Sequence, residues 1–534
     1  MEIALEPQKI YEEYQELVSY LTKEKVFETV DKNEKFFQGR QWEGLAENVD
    51  IAKPTMNILQ RIGKYQIAMI TSNDIGIDIK SLISDNEEDE LLSVISKEAK
   101  DVVEQAKILE TARLVVRDGF VAGANYMHQT FDPFFETGQE AKGRIENEQI
   151  DVRRMFFGNP YSGDIQKQPY IIIALRQYVD QVKEEAEELG VKNIDDIKPD
   201  ADEDFYDDDS GNKLVTVLLK YYKKKKIIEV PTVTVDEFGN QIEVMEQKVI
   251  KTVHAIKCTK DVVIKEETDL GYTRYPISRF GWDNRSNSFL YDTPMTWNIV
   301  NQVFVNKSYS YMHEYAFKSA FPKRIYDETK LDIKNFDDEE DFGVAGIDLM
   351  GKFLDFSKMP DFSDQVIDLV KLTESEMEKN MGVNDAALGN VKPDNAQAII
   401  ALQESAAVPL EIQRQNFYEM WEDTIRNIID IMIACYGVRK LSNDDDEIVT
   451  VDFSRLQGLN YKLSIDIGSS AQYSEIAQMN TINSLLSNQM IDLETFLKVC
   501  PDKYVPMKSE IMKFAEKQQE EAAMQQMQNP DQIL

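Results

Sequence analysis

The sequence predicts an α+β fold in several parts, and three observations carry that expectation. First, a helix-forming stretch from Asp364 to Gly437 is interrupted by the loop Met381-Gly-Val-Asn-Asp-Ala-Ala-Leu-Gly-Asn-Val-Lys-Pro-Asp-Asn395, which is rich in Gly, Asn and Pro. Second, residues 152 to 276 are dominated by strand-like alternation. Third, 534 residues with 42% hydrophobic and 10% aromatic content exceed one typical domain and can fill extensive cores.

Taken in order, residues 7 to 31 and 54 to 72 read as helices around an aromatic turn at Trp42, with Pro54 suited to the first helical position. Helix formers run from Asp89 to Asp118, and Gly119 and Gly123 hand over to a strand at Asn125-Tyr-Met-His-Gln-Thr-Phe131. Lys213 to Ile228 alternates toward a lysine-dense end, and Val230 to Lys251 reads as a hairpin around Glu237-Phe-Gly-Asn240. Lys223 to Lys226 is the basic run of the chain, and lysines blunting an edge strand explain it better than a DNA contact does. The acidic clusters Asp85 to Glu90 and Pro199 to Asp209 hold too few apolar residues to pack and read as solvated loops. Neither has calcium-loop spacing.

Thr293 is placed to cap a helix of about 25 residues with Pro294 at its first position. Trp297, Val300, Phe304, Tyr311 and Tyr315 share one face of it, while Ile299, Val303 and Met312 populate a second. A helix apolar on two sides needs neighbours on both, as a ring of subunits provides or as the core of a monomer does. Short strands broken by Gly343 and Gly346 are expected between Phe321 and Leu354. After the loop, Asp394 and Gln397 form a capping-box pattern, and the helix they open is expected to run to Tyr436 and stop at Gly437. That makes about 40 residues, roughly 60 Å at 1.5 Å per residue, with a kink at Pro409.

Long helix, Gly-rich loop, long kinked helix resembles the tunnel loop and following helix of tailed-bacteriophage portal proteins, the head-tail connectors. Other blocks stand in the same family order. Phe36-Phe37-Gln38-Gly39-Arg40-Gln41-Trp42 and Lys53-Pro54-Thr55-Met56-Asn57 look like the opening of portal wings. Tyr275-Pro276-Ile277 leading to Asn301, Asn306 and Ser308 is similar to the stem helix before the clip, and Met490 to Pro501 resembles the crown. The motifs are degenerate, so their order carries the weight. The resemblance implies a wing over 1–292 with a β-rich insertion at about 152–276, a stem helix at 293–318, a clip at 319–361 and a second stem helix at 362–381. A tunnel loop at 382–395, a long kinked helix at 396–437, a wing β return at 438–470 and a crown with C-terminal tail at 471–534 would complete it.

Functionally, the resemblance implies a twelve-fold homo-oligomeric ring at one capsid vertex of the virion, assembled in the host cytoplasm. Genome DNA would be packaged, retained and ejected through its channel. Partners would be the terminase large subunit, then a head-tail adaptor, with major capsid and scaffolding proteins around the ring. Asp385, Asn390, Lys392 and Asp394 would face the passing duplex. Trp297, Phe304, Tyr311, Trp421 and Ile425 would lie between subunits, and Lys323, Arg324 and Tyr326 would offer the clip's docking surface.

Composition and motifs independently narrow the chemistry. Sixty Lys and Arg against 96 Asp and Glu leave a net charge of −36, unfavourable for a protein that grips DNA by neutralising phosphates. Cys258, Cys435 and Cys500 offer neither a disulfide framework nor metal-ligand spacing and read as buried thiols of a reducing compartment. The first residues lack a secretory pattern, no apolar run reaches about 18 residues, and no membrane is expected. Gly346-Ile-Asp-Leu-Met-Gly351-Lys352 has P-loop glycine and lysine spacing, but Phe353 replaces the magnesium-binding hydroxyl and Pro360 follows too soon for the phosphate-receiving helix. His128, His254 and His313 stand apart, without a neighbouring nucleophile pattern. No catalytic, metal or cofactor site is therefore expected. Rival readings are a capsid or tail-tube component and a metal-dependent nucleic-acid enzyme, for which Asp207 to Asp209 is the best but poor carboxylate group.

Overall fold

The computed structural model describes residues 5–43, 52–72, 75–81, 86–139, 141–200, 213–235, 241–320, 324–326, 342–344, 354–356, 361–383, 408–442, 448–453, 461–467, 482–488, 490–491 and 496. The chain divides into a large unit (1–71 and 77–465) and a small one (72–76 and 466–534), the latter falling mostly outside the described residues. The large unit mixes helices and sheets, as α+β implies.

α1 (Pro7–Lys23) and α2 (Val26–Phe37) replace the single expected helix because Lys25, at φ 58°, turns left-handed between them. α3 (Ile58–Thr71) begins four residues after Pro54, not at it, since Asn57 accepts from the Gln60 amide and so caps the start. β1 (Ile75–Ser81) and α4 (Asn86–Gln105) follow. α5 (Ile108–Ala122) buries Ile108, Ala112, Val115, Val116, Gly119 and Phe120, one helical stripe, and ends at Gly123. Gly123 has φ 90°, and a Cβ there would stand 2.3 Å from the Tyr291 carbonyl oxygen, so only glycine makes this turn.

The turn leads into β2 (Ala124–Asp132), which pairs with β3 (Arg144–Ile150). A larger sheet takes β4 (Met155–Phe157), β5 (Tyr170–Tyr178), then, after α6 (Val179–Glu188), β6 (Leu214–Val235), β7 (Gln241–Cys258) and β8 (Val263–Asp269), all antiparallel in that order. Val179, Val182 and Ala186 of α6 pack on Val215, Val217, Val262 and Ile264. The expected hairpin is there, with Val235 opposite Gln241. At its root β6 is interior, between β5 and β7, whereas Lys223 to Lys226 lie past the end of β5 on an open edge, as lysines blunting an edge strand imply. β5 reaches only Tyr222, so outward from Lys224↔Thr252 β6 and β7 continue as a two-stranded ribbon of about 40 Å at 3.4 Å per residue. Lys224 and Lys226 are neutralised at home, by Glu267 and Asp269 of β8.

β9 (Ile277–Gly281) completes the three-stranded sheet β3-β2-β9, and β10 (Asp283–Asn284) pairs with β11 (Tyr291–Asp292). α7 (Pro294–Ala320) starts as expected, with Thr293 Oγ1 accepting from the Met295 amide at 3.2 Å. β12 (Arg324–Tyr326), β13 (Phe342–Val344) and β14 (Leu354–Phe356) form a small sheet in which β12 pairs parallel to β13 and antiparallel to β14. Gly343 lies within β13 and so does not break it.

α8 (Asp364–Asn380) returns antiparallel along α7: Phe362 stacks near Tyr315, centroids 5.0 Å apart, and Glu374 faces Tyr309. Of the expected kinked helix over 396–437, the described part is α9 (Glu411–Cys435), preceded by a 3-10 turn, Val408–Leu410, that holds Pro409, while residues 384–407 lie outside the described residues. Asp394 and Gln397 lie outside the described residues. α9 packs on the β2-β9 sheet, where Thr424 and Ser278 hydroxyls meet at 2.7 Å and Asn427 donates to Gln129 at 3.0 Å. β15 (Val438–Ser442) and β16 (Ile448–Asp452) form an antiparallel pair, and β17 (Tyr461–Ile467) follows.

Candidate subunit interface

α7 buries a line of polar side chains among apolar ones. Its buried positions include Asn298, Gln302, Asn306 and Ser310, a polar ladder at every fourth residue. The ladder grips the backbone that enters α3. Gln302 Oε1 accepts from the Ile58 and Leu59 amides at 3.2 and 3.3 Å, and its Nε2 donates to the Met56 carbonyl. Asn306 accepts from the Met56 amide at 3.0 Å and donates to Gln41 Oε1 at 2.6 Å. Gln41 in turn donates to Phe36 O and Asn57 Oδ1, while Trp42 Nε1 donates to Pro54 O at 3.0 Å. Two sequence blocks more than 200 residues apart thus meet in one network, with Ser310 Oγ donating to Ala52 O at its far end. Buried amides satisfied in this way fix α7 in one register against the amino-terminal helices.

Met295, Ile299 and Val305 are buried beside the amides, while a second set of large apolar side chains faces out. Trp297 is 62% exposed, Val300 72% and Tyr311 59%, and Phe304 and Phe317 are exposed with them. α8 adds Val366, Ile367, Leu369 and Leu372, all exposed. Burial, and then the Glu374 carboxylate, push the phenol of Tyr309, which reaches from α7 to α8, up from its ordinary pKa. The described part of this helix pair thus carries an exposed apolar face, the feature that makes it a candidate association surface.

The expected interface residues divide. Trp297, Phe304 and Tyr311 are on this exposed face. Trp421 and Ile425 are not: at 1% and 0% exposure they fill the protomer's own core, Trp421 edge-on to Phe417 at 6.3 Å. α9 is covered by the β2-β9 sheet and its neighbours, which bury Phe417, Met420, Trp421, Ile425, Ile428 and Met432 within the protomer. Asp385, Asn390, Lys392 and Asp394 lie outside the described residues, as do Lys323 and the Gly346 to Lys352 segment. Arg324 and Tyr326 are the two ends of β12.

Elsewhere, buried His128 is held by Glu148 at 2.8 Å and the Tyr221 hydroxyl at 2.9 Å, His254 pairs with Glu267 at 2.9 Å, and His313 is exposed on α7. Burial pushes the Cys258 thiol up to about 12, an unreactive thiol. Among the described residues no group of three or more His, Cys, Asp or Glu is placed to hold a metal, and no helix is long and apolar enough to cross a membrane. Sequence reasoning missed the amide ladder, although its signal was present: Asn, Gln, Asn and Ser at a period of four inside an apolar helix.

Compared with known proteins, the chain from residue 18 to 534 matches a family model described as Phage P22-like portal protein. No curated protein matches it.

Proposed function

The chain belongs to the P22-like phage portal protein family, and from that premise we propose that it is the repeating subunit of a twelve-membered ring at one capsid vertex, with genome DNA passing through the central channel. The observation that carries the reading is the outward apolar face of α7 and α8, beside a buried face of hydrogen-bonded amides. Such a helix pair favours association, and a ring supplies a neighbour on each side. In this reading α7 and α8 are the stem, β12 to β14 the clip, and residues 1–292 with 438–470 the wing. Residues 382–395 form the tunnel loop and 471–534 the crown and tail.

The subunit itself is a conduit without catalysis. A separate terminase large subunit docked at the clip around Lys323, Arg324 and Tyr326 burns ATP, and a head-tail adaptor takes its place after filling. Capsid and scaffolding proteins surround the wing. The charge of −36 per chain suits a channel wall. Duplex DNA carries about one negative charge per 1.7 Å, so a lysine-lined wall would hold it by counterion release where an anionic one lets it slide.

Replacing residues 384 to 392 by a short Gly-Ser link tests this division of labour. The variant is expected to form rings like the parent while packaging or retaining less DNA in an in vitro packaging reaction. Rings that fail to form would move the loop from the channel to the subunit contact.

A further inference from the structure

At the foot of the β6-β7 ribbon a cleft of about 630 Å³ opens, lined by Gln166, Lys167, Gln168, Lys223, Lys251 and Thr273 among others. It is a basic site on a strongly acidic chain. The carboxylates in reach are already committed: Asp164 pairs with Lys167 at 2.9 Å, and Asp430 accepts from the Thr273 amide and hydroxyl at 2.7 and 2.9 Å. Arg274 is taken by Asp423. Neither Lys223 nor Lys251 makes an ion pair among the described residues, although Asp430 and Asp164 lie near enough to attract Lys223. Lys223 Nζ rests on Gln166, 3.1 Å from Oε1 and 3.3 Å from the carbonyl, with the Tyr275 ring 4.6 Å away.

Gln166 is itself fixed, accepting from the Tyr275 amide at 2.9 Å and donating to the Tyr275 carbonyl at 3.1 Å. The ammonium of Lys223 is therefore held in place and has little freedom to leave. Lys251 is exposed and stands directly opposite Lys225 across the ribbon, a like-charge pair that destabilises an antiparallel ladder unless an anion intervenes. Burial, and then the Arg274 charge, hold the Lys223 ammonium down at about 8, with Asp430 and Asp164 pulling the other way.

We infer that this cleft binds a divalent oxyanion of the size and charge of inorganic phosphate between the ammonium groups of Lys223 and Lys251. Two ammoniums at one mouth, neither in an ion pair among the described residues, match a dianion, while the Gln168 amide and the Thr273 hydroxyl of the lining are already engaged with the protein and leave recognition to the lysines. The site lies within one protomer, so it stands apart from the ring reading. A phosphate monoanion in a nucleic-acid backbone shares the chemistry but carries half the charge.

The test is calorimetric titration of the full chain with sodium phosphate at fixed ionic strength, beside the same titration with a short duplex oligonucleotide. One phosphate per chain is expected, with Lys251→Gln weakening affinity about tenfold, the loss of one charge-assisted hydrogen bond. Lys248→Gln, an exposed lysine outside the cleft lining, should leave affinity unchanged. Phosphate should also slow acetylation of Lys223 read by peptide mass spectrometry, which does not depend on any variant folding. Absence of saturable phosphate binding, equal losses in the two lysine variants, or protection by the oligonucleotide and not by phosphate would each overturn the assignment.

Discussion

Two tryptophans on two long helices should behave oppositely. A buried aromatic side chain removes about 150–250 Å² from water. Trp297 is 62% exposed in the protomer, so covering the remainder buries roughly 90–150 Å², worth about 2–4 kcal/mol at 25 cal/mol per Å². Ordering the side chain returns about 0.5–1.5 kcal/mol of that. Trp297→Ala should then weaken each subunit contact by about 1–3 kcal/mol, a factor of roughly 5 to 150, while leaving the protomer's unfolding midpoint in place. Trp421→Ala removes a ring that is 1% exposed and should cost about 3–5 kcal/mol of protomer stability, the usual range for an aromatic core truncation. Sedimentation velocity across a concentration series reads the first effect, and urea unfolding at concentrations where the chain is monomeric reads the second. If Trp297→Ala assembles like the parent while Trp421→Ala folds normally yet stays monomeric, the assignment of interface and core is reversed.

Two further outcomes are expected. Gln302→Leu keeps the volume but strands the Ile58 and Leu59 amides and the Met56 carbonyl. It should lower protomer stability by about 2–4 kcal/mol in urea titration, as unsatisfied buried groups do, and a loss below about 0.5 kcal/mol would mean the ladder is not holding α3. Duplex DNA should bind the purified chain weakly at about 0.15 M salt with a shallow salt slope, read by fluorescence anisotropy; submicromolar binding with a steep slope would contradict a repelling channel wall.

What the sequence made legible follows from local signals. The alternation on either side of Glu237-Phe-Gly-Asn240 gave the β6-β7 hairpin, and Thr293-Pro294 gave the start of α7. The breaks at Lys25 and Lys107 were invisible because left-handed turns usually show as Gly or Asn, and here lysine adopts φ 58° and 50°. Pro54 was misplaced because its own fit to a first helical turn competes with Asn57, which caps better. The site was half legible. Aromatic spacing put Trp297 and Trp421 on equal footing, and only tertiary packing separates them. α9 lies under a sheet that consumes its apolar face, whereas on α7 the inward positions are taken by amides that bind the 52–59 backbone. The lysine run Lys223 to Lys226 marks the stretch of β6 that β5 no longer covers, so the protected edge was legible in composition although the strand order was not. β6 is interior at its root and open only in the ribbon.

The central claim is that this chain closes into a ring around a channel, and negative-stain imaging of the purified protein meets it most directly. Closed annular particles with a central hole and a single rotational symmetry are predicted, dispersing when Trp297 is truncated. Monomers at all concentrations, open filaments, or rings unaffected by loss of the α7 aromatic face would contradict it.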